Sequence, residues 1–181
     1  MSVAPGLRMV SEAAELAARR HTGMQRKGRS GEPYINHLAE VANLLTQASE
    51  GSDAELVAAG WLHDIIEDTG LTHDTLASQF GNRVASLVSE VTDDMSLPKE
   101  ERRRRQIEEA PKKSPDAKLI KIADKISNIR ARIADHPSEA DRAELADYVS
   151  WAEKVVAGCR GGNPILDRWF DETAKQARST L

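Results

Sequence analysis

Four acidic or imidazole side chains fall within six residues of the segment DAELVAAGWLHDIIEDT: His63, Asp64, Glu67 and Asp68. They alternate with Leu62, Ile65 and Ile66, which mark the segment as buried. An unpaired ionised group in such a place costs several kcal/mol. If the helix runs from Ala54 to Asp68, then Asp64 and Asp68 are four apart, as are His63 and Glu67, while Asp64 and Glu67 are three apart. All four can then line one sector of the helix. Carboxylates converging there repel one another, and a bound cation removes the repulsion. The alternative is that His63 and Asp64 lie at a solvent boundary and cap a neighbouring loop.

Two distant residues can complete a ligand set. His37 follows Pro33-Tyr34-Ile35-Asn36 and opens an apolar helix, so it points inward, as a ligand or as a structural histidine. Asp124 lies in KLIKIADKISNIRARI, flanked by Leu119, Ile120, Ile122, Ala123, Ile126 and Ile129. It requires a counter-charge, and Lys121 and Lys125 are expected to supply only a surface one. His37, His63, Asp64 and Asp124 together offer two imidazoles and two carboxylates. That set suits Mn²⁺, Fe²⁺ or Zn²⁺ and leaves positions for water and substrate.

The elements that must hold these groups read as helices. A chain of 181 residues with 40% hydrophobic and 30% charged residues can bury a real core, and 4% aromatics leave that core to Leu, Ile, Val and Ala. Helical periodicity recurs over Ser11–His21, Asn36–Ser49, Ala54–Asp68, Thr72–Phe80, Asn82–Val91, Lys99–Glu109, Asp116–Ala134, Ser138–Val156 and Pro164–Arg178. No run alternates with period two. The expectation is one all-α domain spanning residues 1–181. A net charge of −4 argues against a nucleic-acid binder. No stretch has the length and apolarity of a signal peptide or membrane span. With a single cysteine, Cys159, read as packing, the expected setting is a reducing cytoplasm. The charged and amphipathic helices are compatible with a monomer or a homo-oligomer.

A histidine, an adjacent His-Asp and a distant Asp form the signature of HD-domain phosphohydrolases. HTGMQRKGRSGEPYINH, LHDIIEDT, FGNRVASLVSEVTDD and KIADKISNIR, in this order, closely resemble the hydrolase domain of RelA/SpoT proteins. The resemblance covers about residues 10–165 and implies an HD-domain helical bundle, a stand-alone small alarmone hydrolase. Such enzymes remove the 3′-pyrophosphate of (p)ppGpp, leaving GDP or GTP, with one Mn²⁺ per chain; Zn²⁺ and Fe²⁺ are the alternatives. The resemblance implies that His37, His63, Asp64 and Asp124 bind the metal, and that Glu67 and Asp68 orient and activate the attacking water. It places Arg26 and Lys27, in the loop Arg26-Lys27-Gly28-Arg29-Ser30, near the nucleoside and phosphates, and makes Lys99 a phosphate ligand. Asn128 matches a residue at the ribose or phosphate region, and Tyr148 one bordering the nucleotide; Tyr148 as plain core is the alternative.

Ala131 and Glu144 depart from the family pattern on the nucleotide side. The base therefore stays open between guanine and adenine, (p)ppGpp or (p)ppApp. Removal of a phosphate from NADPH is a third reaction, and a nucleotide-binding sensor the non-enzymatic reading. Arg102-Arg103-Arg104-Arg105 point around more than a full turn and are expected to be solvated or paired with Glu100, Glu101, Glu108 and Glu109. His73 and His136 read as loop or cap residues. His21 matches a family histidine near the pocket without being a ligand.

Overall fold

The computed structural model describes residues 5–26, 31–135 and 138–181, and among these there is no strand, so the all-α expectation holds. The helices are α1 Pro5–Arg20, α2 Tyr34–Ala48, α3 Ala54–Leu62, α4 Ile65–Thr69, α5 His73–Phe80, α6 Asn82–Val91, α7 Lys99–Glu109, α8 Pro115–Ala134, α9 Glu139–Ala157 and α10 Pro164–Ser179, with a 3₁₀ turn at Ala110–Lys112. None of the described helices is long and apolar enough to cross a membrane. His136 and the Lys27-to-Ser30 part of the basic loop lie outside the described residues.

Residue contacts group the chain into two compact units. The first holds residues 5–26 and Glu32–Met95. Its central element is α3, against which α1, α2 and α6 pack. Leu56, Val57, Ala58, Ala59 and Leu62 of α3 are all buried. Gly60 permits the closest approach: a Cβ there would lie 2.6 Å from Leu45 Cδ1 of α2. Asp53 caps α3 by accepting from the Leu56 N–H at 3.0 Å. Arg83 of α6 clamps the same end, donating to Asp53 Oδ2 at 2.6 Å and to Glu55 Oε2 at 2.9 Å.

The expected helix over Ala54–Asp68 is interrupted. His63 keeps helical dihedrals, but Asp64 takes φ −100°, ψ 0°, and α4 starts at Ile65. This is the sparsely populated bridge region, frequent at active sites. Leu62 and Ile65 on either side of the corner are fully buried; each such burial contributes roughly 1.5–3 kcal/mol. Gly70, at φ 70°, then ends α4 in the left-handed conformation.

In the second unit α8 packs against α9 and α10. Ser114 caps α8 by accepting from the Ala117 N–H, and Pro115 occupies its first turn. Ile120, Ile122, Ala123, Ile126 and Ile129 are buried, with Leu145, Val149 and Ala152 of α9 and Leu166 and Phe170 of α10. Cys159 is buried and free, as its packing role requires.

Candidate functional site

In the first unit, the corner between α3 and α4 brings His63 and Asp64 to one point with His37 of α2. His63 Nε2 lies 3.0 Å from Asp64 Oδ2, and His37 Nε2 lies 3.5 Å from the same oxygen. The two imidazole Nε2 atoms are 3.2 Å apart. Both histidines are buried. His63 Nδ1 sits 2.8 Å from the Gly60 carbonyl, to which it donates, so Nε2 of a neutral ring carries the lone pair. A carbonyl behind a ligating imidazole is a common way of orienting it toward a cation.

Adjacent residues of a continuous helix do not face one another. The interruption at Asp64 is what lets His63 and Asp64 aim at the same place. The structure thus corrects the idea that one unbroken helix face presents all four groups. Asp68 keeps its relation to Asp64, its N–H donating to the Asp64 carbonyl at 2.9 Å.

Burial alone would raise the Asp64 carboxyl, but the imidazoles of His63 and His37 outweigh it and hold it well below the usual carboxylate range. Glu67 goes the other way. Burial, followed by the charges of Asp64 and Asp93, pushes its carboxyl up to about 7, although the Asp93 N–H donates to its Oε2 at 3.3 Å. One carboxylate beside the imidazoles stays ionised, while its neighbour exchanges a proton near neutral pH. That division suits ligand and acid/base roles.

Tyr34 is the residue that sequence reasoning left without a role. Its hydroxyl donates to Asp64 Oδ2 at 2.6 Å, and its ring meets His37 edge-on with centroids 5.4 Å apart. The usable signal was its spacing: Tyr34 stands three residues before His37, on the same face of α2.

Arg26, at the start of the basic loop, is largely buried: its side chain is 9% exposed, and its guanidinium lies 3.6 Å from Glu32 Oε2. Its N–H donates to the Glu32 carbonyl at 2.8 Å, and the Tyr34 N–H donates to the Met24 carbonyl at 2.9 Å, so both ends of the loop are pinned.

The second unit carries Asp124, Asn128, Tyr148 and Lys99. The expectation of only a surface counter-charge for Asp124 is overturned. Lys125 is buried, and its Nζ lies 2.7 Å from Asp124 Oδ2. Its ammonium also sits 4.7 Å from the centre of the Trp151 ring, a cation–π contact. Asn128 Nδ2 donates to Asp124 Oδ1 at 2.5 Å, placing both on one face of α8. Tyr148 is half-buried, with the Arg132 guanidinium 3.8 Å over its ring and Trp151 edge-on at 5.3 Å. Lys99 is exposed at the start of α7. Of the arginine run, Arg104 pairs with Glu101 and Glu108 and Arg105 with Glu101, as spacing predicted. Arg103 departs from that pattern, pairing instead with Asp147 at 2.8 Å and lying over Trp151.

A family model described as HD domain matches residues 13–150. A guanosine-3′,5′-bis(diphosphate) 3′-pyrophosphohydrolase of Homo sapiens is 43% identical over 170 residues, which cover 94% of this chain and 95% of the human protein. A probable GTP pyrophosphokinase of Mycobacterium leprae is 39% identical over 128 residues, covering 68% of this chain but 16% of that longer protein. A solved structure described as a metazoan orthologue of SpoT that hydrolyses ppGpp matches with a TM-score of 0.88 and 38% identity, over 100% of this chain and 99% of that one.

Proposed function

We propose that this chain, which belongs to the HD-domain family, hydrolyses the 3′-pyrophosphate of (p)ppGpp, releasing pyrophosphate and GDP or GTP, with residues 1–181 acting as one hydrolase domain. The observation that carries the reading is the convergence of His37 Nε2, His63 Nε2 and Asp64 Oδ2 beside a Glu67 carboxyl pushed to about 7. Two imidazoles and an ionised carboxylate are donors that Mn²⁺, Fe²⁺ and Zn²⁺ all accept, so the residues present fit Mn²⁺. Asp124 is assigned as the fourth ligand from its charge within an apolar helix and from the family pattern. A divalent cation held by this set supplies Lewis acidity toward a water and toward the phosphate oxygens.

The chain's own groups do the rest. Glu67 and Asp68 orient the attacking water and take its proton, and a carboxyl near 7 can return that proton at the operating pH. Arg26, Lys27 and Lys99 are assigned to the phosphates, Asn128 to the ribose region and Tyr148 to the edge of the base. A nucleotide-binding sensor does not need an acid/base pair, and this chain keeps both members. The single buried cysteine fits a cytoplasmic setting.

The test is product analysis with purified protein, Mn²⁺ and each of ppGpp, ppApp and NADPH. Pyrophosphate from ppGpp is expected. Its release from ppApp alone, or phosphate from NADPH alone, overturns the substrate. Asp64→Ala is expected to lose the bound metal by elemental analysis and to cut turnover by at least about 10³-fold. Retention of stoichiometric metal by that variant would refute the ligand set.

A further inference from the structure

His21 belongs to neither the metal set nor the acid/base pair, yet the first unit holds its ring in one orientation. It stands directly after α1, where the helix end leaves carbonyls unfilled. The Ala17 carbonyl accepts both the His21 backbone N–H at 3.1 Å and Nδ1–H at 2.8 Å. Tyr34 stacks on the ring, with centroids 5.4 Å apart and planes at 21°. The side chain has no exposure to solvent, so ring rotation is blocked on every side.

The clamp leaves one polar atom uncommitted. His21 Nε2 is buried and has no hydrogen-bond partner among the described residues. A buried polar atom of this kind costs about 1–3 kcal/mol and calls for an explanation. The group Nε2 faces is the carboxylate of Asp68, whose Oδ2 lies 3.5 Å away. Because Nδ1 bears a proton, Nε2 of a neutral ring presents a lone pair to that carboxylate, and the contact becomes attractive when Nε2 is protonated. Burial alone would lower the imidazole, but Asp68 and the Ala17 carbonyl outweigh it and raise it. Asp68 itself is 30% exposed, open to solvent where His21 is sealed.

We propose that His21 is a positioning residue for the hydrolysis: its Nε2 holds the Asp68 carboxylate in the orientation from which Asp68 serves the attacking water. The proposal rests on the reading of Asp68 as a member of the acid/base pair. His21 does not reach the substrate or the metal in this role. It fixes one carboxylate oxygen and leaves the other to the water. Because Tyr34 stacks on His21 and donates to Asp64 Oδ2 at 2.6 Å, one aromatic pair braces two of the three carboxylates that α4 and its preceding corner present, Asp64 and Asp68. Rigid placement of this kind is what a second layer of contacts supplies to a catalytic group.

Three substitutions separate the two nitrogens. His21→Phe keeps the ring stack and removes both. His21→Asn keeps a donor for the Ala17 carbonyl and loses the reach to Asp68, whereas His21→Gln places an amide near the Nε2 position. With the metal-loaded protein and ppGpp, His21→Phe and His21→Asn are expected to lose about 10–100-fold in kcat, with KM within about twofold and metal content unchanged. His21→Gln is expected to recover most of that loss. In an Asp68→Asn background the His21→Asn effect should vanish, because nothing remains to position. Loss of His21→Gln to the level of His21→Phe, or an undiminished His21→Asn effect on top of Asp68→Asn, overturns the positioning role while leaving Asp68 as a base. Full activity of Asp68→Asn by itself overturns both.

Discussion

Two aspartates in helical surroundings, Asp64 at the α3–α4 corner and Asp124 in α8, satisfy their charge differently. Asp124 has a cation in the next residue, Lys125, and an amide one turn on, Asn128. Asp64 is met by imidazoles and a phenol: His37, His63 and Tyr34. Near it Glu67 is pushed up to about 7, first by burial and then by the negative charges of Asp64 and Asp93. A buried acid by itself therefore does not locate an ion site. What the corner adds is a set of imidazole nitrogens around the carboxylate, so Asp124 takes its proposed ligand role from its charge and the family pattern and Asp64 from its neighbours.

The sharpest way to break this contrast is to remove the proposed proton acceptor while keeping the proposed ligands. Glu67→Gln is expected to lower kcat by about 10²–10⁴-fold with bound metal retained. Wild-type turnover in that variant would remove the corner's chemical distinction from α8. The next largest effect belongs to α8. Lys125→Met leaves Asp124 charged in an apolar helix and should cost about 3 kcal/mol in urea unfolding of the metal-free protein. Added Mn²⁺ should shrink that cost if Asp124 is a ligand. A loss below about 1 kcal/mol without metal would mean that Asp124 does not depend on its lysine.

Much of this arrangement was legible in residue types and spacing. Helical period located the elements, and interleaved charge in LHDIIEDT singled out His63, Asp64, Glu67 and Asp68. What escaped was geometry that periodicity assumes away. A pattern read at 100° per residue describes a continuous helix, so it cannot show Asp64 at ψ 0° turning its side chain toward that of His63. The burial of Lys125 was missed for a related reason. Hydropathy treats lysine as a surface residue, whereas here its ammonium lies against the ring of Trp151, 26 positions on in the sequence. Tyr34 was read only as a residue flanking His37, and His21 only as a residue near the pocket, because their partners are set by tertiary contact.

A smaller effect tests how firmly the corner is held. Tyr34→Phe removes the 2.6 Å hydrogen bond to Asp64 Oδ2 but preserves the ring between His21 and His37. Metal affinity, by competition with a chelating dye, is expected to weaken about 10–100-fold, since contacts behind a ligand orient it and tune its basicity. An unaltered affinity would show that the imidazoles alone fix Asp64.

The smallest effect follows from the proton on Glu67. Its folded carboxyl is raised from 4.5 to about 7, with burial the leading cause and the charges of Asp64 and Asp93 next. Between those values the folded protein binds more proton than the unfolded chain, so stability falls as pH rises through that window and the penalty is complete above it. Glu67→Gln removes the ionisation. In chelator it should therefore be more stable than the wild type by about 1–2 kcal/mol at pH 8, after discounting for partial exposure, with no gain left at pH 4.5. Saturating Mn²⁺ should abolish the gain at pH 8, because a cation in the corner supplies the compensation that Glu67 lacks. A gain that is independent of pH would assign the stabilisation to packing, and one that persists with metal bound would place the cation away from this corner.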